Sequence, residues 1–197
     1  MAMTVFHLTT NAVCDENQKW FEEFRQKHQC RSCGRLAREC RQRGTDVRIM
    51  GRPARSALFA VHTAIGIGGW EFLNLFEDEF SRHFVMGHVL NSRAQYIPDL
   101  VTFVPHRPIL IRSSEPEYRF CAECARFVYS PSAGRSYVLR SSLQEKHVYG
   151  LDGSGLIVTR EFRQRIEPRR WKSLIIEELP VLDRPLDGID EFPEDYY

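Results

Sequence analysis

Two Cys-x-x-Cys pairs constrain this chain more than any other feature: Cys30-Arg31-Ser32-Cys33-Gly34 and Cys121-Ala122-Glu123-Cys124-Ala125. Such a turn sets two thiolates on one side of the backbone, which is half of a tetrahedral zinc site. Two halves make a closed site with no open position for water. The expected cofactor is therefore one structural Zn²⁺ held by Cys30, Cys33, Cys121 and Cys124. The 87 residues between Cys33 and Cys121 would be closed into a long loop. That length is tolerable, because loop-closure entropy grows only logarithmically.

Other uses of the motif need surroundings that this sequence lacks. A redox dithiol sits at a helix start in a βαβ setting, whereas the first pair lies in an Arg-rich turn and the second between strand-like segments. A deaminase-type catalytic zinc needs His-x-Glu ahead of Pro-Cys-x-x-Cys; the chain has no His-x-Glu, and Phe120 precedes Cys121. Cys14 and Cys40 have no partner at short spacing and read as small buried hydrophobes. Gly34, directly after Cys33, suits a turn that needs positive φ.

Charge says little globally and more locally. The net charge is +1, which gives no overall pull toward nucleic acid or an anionic membrane. From Arg25 to Arg55 there are ten Lys or Arg against two acids, and from Glu177 to Tyr197 eight acids against one Arg. Each block reads first as a solvated surface, and second as a docking surface for a partner of opposite sign. The apolar stretches Ser56–Ile67 and Leu100–Ile111 are too short to span a bilayer. The N-terminal residues lack the basic and apolar regions of a signal peptide. Cysteine spacing that favours metal over a disulfide framework points to the reducing cytoplasm.

The pattern predicts an α+β fold: a mixed sheet, a few short helices and a four-cysteine, zinc-ribbon-like knuckle. Strands are expected at Thr4–Leu8, Val47–Met50, Leu58–His62, Leu100–Val104 (bracketed by Pro98 and Pro105), Ile109–Ile111, Ser154–Val158 and Leu174–Leu179, and short strands or turns at Tyr137–Leu139 and His147–Gly150. Helices are expected at Asn17–Phe24, Trp70–Phe84 and after Thr159, the last burying Phe162 and Ile166 and stopping at Pro168. Gly66-Ile67-Gly68-Gly69 reads as a turn. Tyr118–Phe120 and Phe127–Tyr129 read as a hairpin with the second cysteine pair at its tip. Residues 1–182 form one domain, and 183–197 an acidic tail that is draped or disordered.

No nucleophile–base pair, phosphate loop or Gly-x-Ser-x-Gly elbow is present, so the chain reads as a non-enzyme. His83 and His88 are five apart and do not share a helix face, and Arg169-Arg170-Trp171-Lys172 reads as a helix end with Trp171 packed inward.

The two cysteine pairs, their wide separation and their flanks resemble a bacterial family named for a double CXXCG motif. The first pair matches, while the second has Ala125 in place of glycine. The stretch from Leu156-Ile157-Val158-Thr159 through Phe162 to Leu179-Pro180-Val181-Leu182 resembles the family's closing strand–helix–strand, so the likeness runs from about Phe6 to Leu182. The family's members are small cytoplasmic proteins, some of them immunity proteins for polymorphic toxins. The resemblance thus implies a binder that neutralises a cognate protein toxin, with no membrane partner; nothing in the sequence indicates oligomeric state. Against a basic toxin cleft, the docking residues would be Asp187, Asp190, Glu191, Phe192, Glu194, Asp195, Tyr196 and Tyr197, aromatics within a charged rim. The alternative is a zinc-ribbon nucleic-acid-binding module using segment 25–55, through Arg31, Arg35, Arg38, Arg41 and Arg43. A sequence pI near 7.7 argues against it, since such domains usually exceed 9.

Overall fold

Strand β1 (Thr4–Thr10) turns Phe6 and Leu8 to one side and Val5 to the other, and both sides are covered. It is the fourth strand of a six-stranded sheet in the computed structural model, which describes residues 3–51, 57–59, 65–143, 147–151, 155–171, 173–190 and 192. The chain continues through α1 (Gln18–His28), α2 (Arg38–Arg43), β2 (Val47–Arg48), β3 (Leu58–Phe59), β4 (Gly66–Gly69), α3 (Trp70–Leu73), α4 (Glu77–His83), β5 (Phe84–Leu90) and β6 (Tyr96–Pro105). Then come β7 (Arg112–Cys121), β8 (Arg126–Leu139), β9 (Val148–Gly150), β10 (Leu156–Thr159), α5 (Arg160–Ile166) and β11 (Leu174–Leu182).

The fold is α+β with two mixed sheets. One has the order β7-β8-β11-β1-β10-β9, with β8 and β11 parallel. The other has the order β2-β5-β6-β4-β3, with β2 and β5 parallel. The largest core joins them: Phe6, Leu8 and Val158 from the first sheet meet Leu58, Val101 and Phe103 from the second. Phe72, Phe76, Phe80 and Phe162 fill the space from the helices, with Phe76 stacked on Phe162 at 4.6 Å. A second core lies on the other face of the five-stranded sheet, where Phe24, Leu36, Cys14 and Cys40 pack on Val47, Ile67 and Val104. That core seats α1, α2 and the first cysteine turn on the sheet.

Several expectations change. Gly66–Gly69 is a strand, not a turn. Gly66 pairs with Phe103, whose ring lies against the glycine backbone; a Cβ there would sit 2.2 Å from a ring carbon. The glycines admit a close approach, and no turn is needed to explain them. The helix expected over Trp70–Phe84 is broken by a 3-10 turn at Asn74–Phe76, and Phe84 begins β5, a strand the sequence reading did not assign. Pro98 and Pro105 fall inside β6; Pro98 lies in a stretch where the pairing with β5 is irregular, so its missing donor is tolerated. Ile109 makes only an isolated bridge to Leu151. Of Leu58–His62, only Leu58 and Phe59 lie within the described residues.

Strands β1 and β11 form as expected, with β11 running on to Leu182. The helix after Thr159 buries Phe162 and Ile166, though Thr159 makes no side-chain cap. Trp171 packs edge-on against Phe72 at 6.0 Å. Among the described residues, no helix is long and apolar enough to cross a membrane.

Candidate metal centre

Helix α1 delivers the first cysteine turn. Asn17 caps it by accepting from the Trp20 N–H at 3.0 Å, and Arg25, Lys27 and His28 close it with charge that suits its C-terminus. Trp20 and Phe24 stack at 5.0 Å and fix the buried face. The chain then doubles back: Gln29 bridges Leu36, the Ala37 N–H donates to His28 O, and the Cys30 N–H donates to Arg35 O at 2.9 Å. Cys30 to Cys33 form the tip of this small loop. Its return needs Gly34 at φ +72°, and the Gly34 N–H donates to Cys30 O at 2.8 Å.

The β7–β8 hairpin delivers the second turn, as the sequence predicts, but it is far longer than expected. Cys121 pairs with Arg126 across its end, with the turn between them. Ala125 occupies the station of Gly34 and has φ +52°. Residues Arg35 and Arg126, each two positions after the second cysteine of its turn, are both buried.

The two tips meet. Cys30, Cys33, Cys121 and Cys124 bring their sulfurs within 4.8 Å of one another and form a group that could hold a metal ion. Cys30 Sγ lies 3.7 Å from Cys121 Sγ, and Cys33 Sγ 3.6 Å from Cys124 Sγ. These separations are far beyond the ~2.05 Å of a disulfide. The sulfurs are chemically unequal. Burial, with the neighbouring thiols, pushes the Cys33 thiol up to about 12 although the Arg35 N–H bonds it. The Cys121 thiol is lowered to about 7, chiefly by the Cys124 N–H. Four anionic sulfurs this close would repel one another, and a bound cation would balance that charge.

Polar contacts also cross between the turns. The Glu123 carboxylate accepts from the N–H groups of Arg31 and Ser32 at 3.2 and 3.0 Å and from the Ser32 hydroxyl at 2.5 Å. The Ser32 hydroxyl, foremost, and these N–H groups hold the carboxyl below its usual range. Arg126 donates to Leu36 O at 3.0 Å. Sequence reasoning missed both residues; the only signal for Glu123 is its place between two ligand-type cysteines.

Cys14 and Cys40 lie apart in the second core, both buried as expected. Burial first, then Asp15 and Glu16, pushes the Cys14 thiol up to about 12, and burial raises Cys40 as well. Both are held as neutral thiols.

Of the residues expected to face a partner, Asp190 is exposed. Asp187 and Phe192 turn inward. The Asp187 side chain is buried against Arg112, which donates through Nε at 2.8 Å and through Nη2, while Tyr129 Oη donates at 3.1 Å. Phe192 lies over the Arg112 guanidinium at 4.8 Å and edge-on to Tyr129 at 5.3 Å. Residues Glu191, Glu194, Asp195, Tyr196 and Tyr197 lie outside the described residues. In the Arg-rich segment, Arg31 and Arg43 are exposed, Arg35 is buried, and the side chains of Arg38 and Arg41 lie outside the described set. His88 is exposed and bonds Asp46 at 3.1 Å.

No protein-family profile matches the chain, and no curated protein sequence matches it.

Proposed function

We propose that this chain is a non-catalytic binding protein: an immunity protein that neutralises a cognate polymorphic toxin in the cytoplasm, on a scaffold held by one structural Zn²⁺. The observation that carries the scaffold half is the sulfur spacing. Four thiolates at ~2.3 Å from a tetrahedral zinc ion lie about 3.8 Å apart. The 3.6 and 3.7 Å separations across the two turns suit that edge length. Cys30, Cys33, Cys121 and Cys124 would hold the ion, and it would supply cross-linking alone, because four protein ligands leave no position for substrate or water.

The binding half rests on the double-motif resemblance. A toxin would be blocked by a rigid, charge-complementary surface laid over its active site. The docking surface is proposed at the acidic C-terminal end, where Asp190 is exposed. Asp187 and Phe192 serve it indirectly, by anchoring the segment to the hairpin base. The nucleic-acid reading has less support, since Arg35 is taken out of the surface.

Co-expression with the toxin domain encoded beside this gene tests the reading. Protection of the cells and co-elution of the two chains are expected. Undiminished toxicity with no complex would overturn it.

A further inference from the structure

Glu123 stands between the two cysteines of one turn, yet it bonds the two residues that stand between the cysteines of the other. Its contacts to Arg31 and Ser32 span 92 and 91 residues of chain. A metal would join the same two turns through sulfur; the carboxylate joins them through hydrogen bonds. Both sides are prepared for it. The Gln29–Leu36 bridge and the Cys30–Arg35 bond hold the first turn so that two successive N–H groups converge on one anion. The β7–β8 ladder holds the second turn beneath Glu123. The contact from Arg126 to Leu36 O adds a buried bond just past the cysteines on each side. An exposed carboxylate contact between two mobile chains is worth little. Here each partner is already ordered by its own hairpin, so little freedom remains to be lost on docking.

We propose that Glu123 is a positioning residue that docks the Cys30–Cys33 turn onto the hairpin tip before any ion binds. The sulfurs are then gathered in advance, and a divalent cation completes the cluster. Only this last step rests on the zinc reading. The arrangement differs from small zinc modules, in which metal binding and folding are one event.

The test uses the full chain, reduced and stripped of metal, as wild type, Glu123→Ala and Glu123→Gln. Hydrogen–deuterium exchange is read on a peptide covering residues 29–36. The wild type is expected to protect the Arg31 and Ser32 amides without metal, and Glu123→Ala to expose them while the peptide of β1 stays unchanged. Gln, which accepts hydrogen bonds without the charge, is expected to restore part of the protection. Zinc titrated against a chromophoric chelator is expected to bind Glu123→Ala about 10- to 100-fold more weakly, the usual loss for residues that orient metal ligands. Equal exchange of the Arg31 and Ser32 amides in wild type and Glu123→Ala would overturn the proposal. A wild type that binds no zinc but shows the exchange difference would sink the zinc reading and leave the docking role supported.

Discussion

Gly34 and Ala125 hold the same station, one residue past the second sulfur of each turn, and both have left-handed backbone, at φ +72° and +52°. An L-residue in that region costs about 1–2 kcal/mol against glycine. Ala125 carries that cost and Gly34 does not. Ala125→Gly is therefore expected to stabilise the protein by up to about 1 kcal/mol, part of the gain being lost to the greater freedom of glycine in the unfolded chain. Gly34→Ala should destabilise by about 1 kcal/mol through backbone conformation alone, since a Cβ there meets nothing within 4 Å. Urea denaturation of the two variants measures both signs.

Asp187 has no exposure through its side chain, and its partner Arg112 has 4%. Removing one member of a buried pair strands the other charge, so Asp187→Asn should cost about 3 kcal/mol in urea denaturation. The pair also predicts acid sensitivity. Burial alone would raise this carboxyl, but hydrogen bonds from Arg112 and the Ile189 N–H, with the Arg112 charge, outweigh it and hold it low. A depressed carboxyl pKa contributes stability that is full above about pH 4 and is lost as pH falls through the folded value. Asp187→Asn should flatten that part of the stability profile.

His7 gives the second titration. Burial lowers its pKa, and Glu177, 3.7 Å away, offsets this only in part. The unfolded chain then binds the proton more readily than the folded one. Stability is full above about pH 6.5 and declines as pH drops toward the folded pKa. His7→Gln should remove that slope, as read by thermal unfolding across the range.

The close approach of Gly66 to Phe103 predicts a coupled pair. Gly66→Ala drives a methyl into the Phe103 ring and should cost about 1–3 kcal/mol. In a Phe103→Leu background the same change should cost less. A double-mutant cycle with no coupling would contradict the contact.

What was legible in the sequence was local. The Cys-x-x-Cys spacing, the alternation at Thr4–Leu8 and the apolar flanks of the second cysteine pair each carry their structure within a few residues. The illegible parts are set by distant partners. Gly66–Gly69 is a strand through its pairing with β6, where the Phe103 ring lies against the bare Gly66 backbone. Asp187 resembles any other acid of a charged tail until Arg112, 75 residues away, is seen to bury it. Glu123 looks like a solvated turn residue, and its contacts lie in a segment 91 residues earlier.

Metal analysis of the natively purified full chain, by elemental content together with native intact mass, tests whether the four clustered sulfurs hold an ion. One zinc ion per chain is expected, lost from Cys33→Ser and from Cys121→Ser and kept by Cys14→Ser. A wild-type chain without bound metal, or one whose zinc survives replacement of all four clustered cysteines, would contradict it.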